Sequence, residues 1–127
     1  MSQTTTATAK AAITWFMIPA ADLARAQRFY ETILETTLKA EDFGGRPLAV
    51  FPYDQPAVGG ALAEGTPSPA GTLVYLNVTG RLDRTLELVN AAGGSVATPK
   101  TELPNGIGWS AHIVDSEGNR VGLHSIS

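Results

Sequence analysis

The sequence predicts an α+β fold built from two βαβββ modules that create a shared concave surface. Two amphipathic segments begin with similar tetrads, Leu23-Ala-Arg25-Ala26 and Leu82-Asp-Arg84-Thr85, and each follows a short apolar segment typical of a strand. A second pair of similar segments closes the halves, Val58-Gly-Gly-Ala61-Leu62 and Arg120-Val-Gly122-Leu123. A solenoid needs about three or more repeats to bury its core, so two copies favour facing modules instead.

The helices are the most clearly marked elements. From Asp22 to about Glu35, apolar residues recur at spacings of three and four, and Asp22 is placed to cap the first turn. The second helix starts near Leu82 and ends at Gly93-Gly94, because glycine readily adopts the left-handed conformation that closes a helix. Short apolar segments between turn residues predict strands at 13–19, 48–51, 59–63, 73–78, 95–98, 108–114 and 119–125.

Two connecting segments complete the pattern. Residues 115–119 predict a hairpin turn between the last two strands, with Gly118 free to take a positive φ. Residues 99–108 form the longest irregular stretch of the second module, and loops of this kind often cover a cleft. Lys100 and Glu102 on this loop are interpreted as solvated surface charges or, alternatively, as ligand contacts.

Length and composition indicate one compact domain. The chain has 127 residues, 43% of them hydrophobic, which suffices for one core. We expect a flexible tail at 1–12 and a single domain at 13–127, with module one at 13–63, a Pro- and Gly-containing connector at 64–71 and module two at 72–127.

Charge and cysteine content exclude several classes of function. The net charge is −3 and the basic residues are dispersed, so the sequence indicates neither nucleic-acid nor membrane binding. The absence of cysteine excludes disulfides, thiolate metal sites and a cysteine nucleophile. No signal peptide or apolar segment of about 18 residues is present, which predicts a soluble cytoplasmic protein.

Three motifs resemble the vicinal oxygen chelate superfamily, which includes glyoxalase I, bleomycin-resistance proteins, fosfomycin-resistance enzymes and extradiol dioxygenases. They are Trp15-Phe-Met-Ile-Pro19 with Asp22-Leu23, then Phe29-Tyr30-Glu31, and finally the segment 115–123. The resemblance covers about residues 13–125. It implies a curved mixed sheet around a cleft, with the helices on the outer face, and a homodimer.

The same resemblance locates the four positions that hold a divalent metal in metal-binding members. Here they are Trp15, Ala61, Leu73 and Gly122, none of which offers a suitable lone pair. A register shift of one residue does not restore a ligand set. With only two histidines in the chain, the spacing indicates no second cluster of strong ligands. We therefore expect no metal and no cofactor.

The resemblance implies that the four metal-ligand positions face the cleft, and strand alternation then predicts which of their neighbours face it as well. The predicted ligand-binding residues on this face are Trp15, Met17, Leu73, Tyr75, Asn77, Arg120 and His124. The similarity to fosfomycin-resistance enzymes adds Ser110 and His112, which precede the turn aspartate by five and three residues. The residues at the alternate strand positions should pack under the helices. They are Phe16, Ile18, Val74, Leu76, Val78, Val121 and Leu123.

Each predicted site residue also has a structural interpretation. Trp15 and Tyr75 either stack on a ligand or fill the space of the lost metal, Met17 is more typical of a gap filler, and Asn77 either contacts a ligand or caps a strand end. His112 is the candidate for acid–base chemistry, against a hydrogen-bonded structural histidine. Trp109 is expected on the opposite face, in the core.

Three functions remain open from the sequence. The first is a metal-independent small-molecule binding protein of the bleomycin-resistance type, with its ligand in an aromatic-lined cleft. The second is a metal-free lyase or isomerase that uses His112 as acid or base, with Ser110 or Asn77 holding an oxyanion. The third is a protein-interaction module with a collapsed cleft. Fold alone does not choose among them.

Overall fold

The computed structural model describes residues 12–127, so residues 1–11 of the predicted tail lie outside the described part of the chain. The elements in order are β1 (Trp15–Ala20), α1 (Leu23–Leu34), β2 (Lys39–Phe43), β3 (Arg46–Val50), β4 (Gly59–Glu64), β5 (Tyr75–Asn77), α2 (Leu82–Ala92), β6 (Ser95–Glu102), β7 (Trp109–Val114) and β8 (Arg120–Ser125). A single 3₁₀ turn, Pro104–Gly106, separates β6 from β7. Neither α-helix within residues 12–127 has the length and apolar character needed to cross a membrane.

The strands form two four-stranded mixed sheets, one for each module. The spatial orders are β1-β4-β3-β2 and β5-β8-β7-β6, and in each sheet the first and last strands of the module are parallel neighbours. Helix α1 packs on the first sheet, α2 packs on the second, and the helices contact each other. This arrangement confirms the predicted α+β fold of two βαβββ modules.

A capping residue that the sequence predicts defines the start of α1 and the end of α2. The Asp22 side chain accepts a hydrogen bond from the Arg25 backbone N–H at 3.0 Å and so caps α1. Helix α2 ends at Gly93, which has a φ of +108°. Both predicted helix boundaries are therefore confirmed.

One continuous core joins the two modules and fixes the faces of the sheets. The predicted core-facing residues Ile18, Leu76, Val78, Val121 and Leu123 are buried in it, while Phe16 and Val74 are partly buried against it. Trp109 also packs on this core, as expected. The alternate residues of the same strands therefore lie on the faces turned away from the helices.

Apart from shifts of one or two residues at strand ends, the structure differs from the predicted strands in three places. Strand β2 was missed because all five of its residues are exposed and show no apolar alternation. The segment 99–102 was expected to be irregular, but it continues β6, an edge strand with irregular register on which Pro99 is tolerated. Strand β5 is shorter than predicted, so Leu73 precedes it.

Polar contacts tie the β7–β8 turn of module two to module one. The buried Tyr30 hydroxyl donates to the Asp115 carboxylate at 2.6 Å, and the Asn119 side chain donates to the Pro19 carbonyl at 2.7 Å. Burial, together with the neighbouring Asp115 carboxylate, holds the pKa of Tyr30 well above its ordinary value. These contacts join residues far apart in sequence and set how the modules sit together.

A salt bridge beside these contacts strengthens the same junction. Arg25 Nε and Nη2 donate to the two Glu117 carboxylate oxygens at 2.6 and 2.9 Å, and the Asp22 backbone N–H donates at 2.8 Å. The hydrogen bonds from Arg25, supported by the one from Asp22, lower the pKa of Glu117 to about 2. Glu117 therefore stays ionised at neutral pH and links the turn to the start of α1.

Candidate functional site

The face of the second sheet that is turned away from the helices brings Tyr75 and His112 into direct contact. Gly122 on β8 is the register partner of both residues, and it lies between them in the sheet. The Tyr75 hydroxyl lies 2.8 Å from His112 Nε2, and the two rings meet edge to face with centroids 5.5 Å apart. A Cβ at position 122 would lie 2.5 Å from the Tyr75 ring. The glycine therefore lets the tyrosine ring lie close to the sheet.

Arg120 completes this group from the start of β8. Its Nη2 donates to Thr98 Oγ1 at 3.0 Å and lies 3.3 Å from His112 Nδ1. Both ring nitrogens of His112 are thus engaged, one by Tyr75 and one by Arg120. We call Tyr75, His112 and Arg120 the triad from here on.

Two cavities adjoin Tyr75. The smaller, of about 390 Å³, is lined by Tyr75, Asn77, Leu103, Ser110 and His124, and we call it the module-two cavity. The larger, of about 810 Å³, lies at the junction of the modules, where Leu73, Tyr75 and Asn77 meet module-one residues such as Phe16, Phe51 and Tyr53. Both volumes are in the range of small-molecule sites. Tyr75 and Asn77 border both cavities, so they lie between the two.

The module-one residues predicted for the site lie apart from the triad. Trp15 packs edge to face against Tyr53, with ring centroids 5.7 Å apart, and the Tyr53 ring lies over Gly59. Trp15 and Met17 are both exposed. Neither lines the module-two cavity or the larger cavity at the junction of the modules. The structure therefore gathers Leu73, Tyr75, Asn77, Ser110, His112, Arg120 and His124 in module two and leaves Trp15 and Met17 on module one.

Some predicted site residues have structural contacts as well. The Asn77 side chain accepts from the Thr79 backbone N–H at 3.0 Å, as the capping interpretation proposes. His124 Nε2 lies 2.9 Å from the Ile107 carbonyl oxygen, which fixes the ring at the cavity wall. Lys100 pairs with Asp83 at 3.1 Å and covers the Trp109 ring at 4.8 Å, in agreement with its interpretation as a surface charge.

Sequence reasoning did not identify Thr98, Leu103 and Tyr53. Thr98 lies in the predicted strand 95–98, and its register partner is His112, but register across β6 is irregular and could not be read from the sequence. Leu103 lies in the segment 99–108, which is expected to cover the cleft. That expectation was the one indication in the sequence that Leu103 contributes to the site. Tyr53 lies in the connection between β3 and β4, where no periodicity indicates a direction.

Comparison with known proteins assigns the family. A family model described as the Glyoxalase/Bleomycin resistance protein/Dioxygenase superfamily matches residues 12–123. The chain belongs to this superfamily. A search of curated proteins finds no match.

Solved structures share the superfamily fold at low sequence identity. A glyoxalase/bleomycin resistance protein from Albidiferax ferrireducens is 17% identical, with a TM-score of 0.70 over 91% of this chain and 99% of that one. The antibiotic binding protein TnmS3 from Streptomyces is 21% identical, with a TM-score of 0.65 over 95% and 100%. The fosfomycin resistance protein FosX from Listeria monocytogenes is 15% identical, with a TM-score of 0.59 over 94% of each chain. These similarities show the fold alone.

The metal of the vicinal oxygen chelate superfamily does not fit the corresponding positions here. Trp15 offers only an indole N–H donor, Ala61 is a fully buried methyl group, and the space above Gly122 is taken by the Tyr75 ring. Leu73 has no lone pair to donate. Within residues 12–127 no three side chains from His, Asp and Glu come together as a metal site.

Proposed function

We propose that this chain binds a small organic molecule, without a metal ion, on the face of module two that is turned away from the helices. The observation that carries the proposal is the triad, whose Tyr75 lines the module-two cavity and lies over Gly122, a position that the family resemblance assigns to a metal ligand. Small-molecule sites combine apolar walls with a few fixed polar groups, and this surface has both. The antibiotic binding protein TnmS3, which shares the fold, supports a binding role.

A metabolite screen read by native mass spectrometry tests this proposal. Purified protein treated with a chelator is mixed with a metabolite extract and desalted, and its mass is then measured. We expect a bound organic molecule whose retention does not depend on added zinc, nickel, manganese or iron, and whose occupancy falls in His112→Ala. A ligand retained only after metal is restored would contradict the proposal.

A second candidate is a metal-free lyase or isomerase that uses His112. The 2.8 Å contact between Tyr75 and His112 favours it, because an imidazole N–H that donates to the tyrosine oxygen would stabilise the tyrosinate left when the hydroxyl gives its proton to a ligand. The proton transferred to the ligand is then that of the Tyr75 hydroxyl, and His112 supports its transfer. Turnover of a compound found in the screen, lost in Tyr75→Phe while binding persists, would support this candidate over simple binding.

For the assembly, we infer a symmetric homodimer formed through module one. Trp15 and Met17, both on edge strand β1, are exposed, Met17 to 45%, which leaves apolar side chains of module one for a second copy. Light scattering at micromolar concentration should return twice the chain mass. A monomer mass would contradict the inference.

The interaction module with a collapsed cleft has less support, because the module-two cavity remains open.

A further inference from the structure

The contacts of Arg120 determine which nitrogen of His112 carries the proton. A guanidinium group has donors only, so the His112 Nδ1 that lies 3.3 Å from Arg120 Nη2 must accept. The Thr98 hydroxyl accepts from the same Nη2 at 3.0 Å and holds the arginine in place. A neutral His112 therefore carries its hydrogen on Nε2.

This tautomer determines the role of the Tyr75 hydroxyl. The Nε2–H of His112 donates to the Tyr75 oxygen at 2.8 Å, so the tyrosine accepts in that bond and keeps its own proton. Among residues 12–127 no acceptor receives that proton. Tyr75 is half exposed, so its O–H is a free donor on the surface beside the module-two cavity.

Two further polar groups on this face, the Arg120 guanidinium and the Asn77 amide, are also hydrogen-bond donors, and Arg120 is a cation. Arg120 is exposed and forms no salt bridge with a carboxylate of residues 12–127. The Asn77 amide oxygen is used by Thr79, which leaves its NH₂ group for the cavity. Arg120 contacts the ring nitrogen of His112 opposite to the one that Tyr75 contacts, so its positive charge lies on the same face but across the imidazole from the hydroxyl. A free tyrosine hydroxyl and an amide donor in this positively charged surrounding complement an oxygen that carries negative charge.

We infer that module two recognises an organic anion, a carboxylate or phenolate, whose oxygen accepts from the Tyr75 hydroxyl, with the charge of Arg120 across His112 favouring the anion. This inference rests on the proposed function and specifies its ligand class. Arg120 is then a positioning residue as well as a charge, because it holds His112 in the tautomer that makes Tyr75 a donor. The apolar part of the anion lies against the wall that Leu103 supplies to the cavity.

The tautomer is measured without any ligand. Long-range ¹H–¹⁵N spectra of the ¹⁵N-labelled protein at mildly alkaline pH distinguish protonated from unprotonated ring nitrogens. We expect the Nε2–H pattern for His112 in the wild type and an averaged pattern in Arg120→Met. His124, whose Nε2 faces a carbonyl oxygen, is the internal reference and should keep its pattern in both proteins. An Nδ1–H pattern for His112, or no change in Arg120→Met, overturns the inference.

Ligand class is measured with four probes at the same pH. The anions are 2-naphthoate and 4-nitrophenolate, and their neutral counterparts are 2-naphthamide and 4-nitroanisole. We expect at least one anion to bind about tenfold or more tightly than its counterpart, since hydrogen bonds to charged groups contribute about that much. Tyr75→Phe should remove this preference, whereas Tyr53→Phe, the matched change on module one, should retain it. Which anion binds distinguishes carboxylate from phenolate.

The failure of this inference is distinct from failure of the proposed function. Equal binding of anions and neutral counterparts, or binding of none of the four probes, overturns the anion preference. A metabolite screen that still finds a metal-independent ligand would leave the proposed function intact. A screen that finds no organic ligand would instead count against both.

Discussion

Replacing Glu117 with Gln should destabilise the junction between the modules at neutral pH. The pKa of Glu117 falls from 4.5 to about 2 on folding, chiefly because Arg25 donates to it. Each pKa unit corresponds to about 1.4 kcal/mol, but Arg25 is 49% exposed, so solvent screening reduces the effect. We expect a loss of about 1 to 2 kcal/mol in the free energy of unfolding.

The pH dependence gives the sharper test of the same prediction. Because the folded pKa is depressed, the stabilisation is fully present above the unfolded value of 4.5 and is lost as the pH falls toward 2. Urea unfolding of wild type and Glu117→Gln should therefore differ most near pH 7 and converge between pH 4.5 and 2. Glu87→Gln is the matched control, because that carboxylate is exposed and lies 3.9 Å from Arg84. Equal stability of wild type and Glu117→Gln at pH 7 would refute the reasoning.

Further predictions concern the junction, the triad and metals. Tyr30→Phe should cost about 1 to 3 kcal/mol in urea unfolding, because the buried Asp115 carboxylate loses a donor; unchanged stability would contradict this. Gly122→Ala should displace the Tyr75 ring and weaken ligand binding about tenfold in a fluorescence titration, and wild-type affinity would argue against the close packing. His112→Ala should weaken binding by about 1 to 3 kcal/mol with little change in melting temperature, whereas a structural histidine would give the reverse. Zinc, nickel, manganese or iron should not raise the melting temperature, and elemental analysis near one metal per chain would overturn the ligand argument.

Local patterns predicted the modules and the faces of their strands. The spacing of apolar residues and the caps at Asp22 and Gly93 define the helices, and alternation in β1, β5 and β8 separates core from outer face. Strand β2 was not predicted, because all of its side chains are exposed and show no alternation of apolar and polar residues. A strand that buries no apolar face thus leaves no periodic signal in the sequence.

The candidate site was only partly predictable, because its contacts join distant residues. Alternation put Tyr75 and Arg120 on one face, and the family resemblance added His112, but no pattern indicated that these three side chains bond to one another. Trp15 packs against Tyr53 of its own module, and the contacts that join the modules, such as Tyr30 with Asp115, link residues 85 positions apart. Such long-range geometry is not encoded in local periodicity.

The most direct test of metal-free binding on module two is a ¹H–¹⁵N correlation titration. Chelator-treated, ¹⁵N-labelled protein is titrated with the compound recovered from the metabolite screen. We predict that the largest shift changes fall on residues 73–77, 98, 110–112 and 120–124, with no requirement for added metal. Changes concentrated on module one, or changes that occur only after a divalent metal is added, would contradict the account.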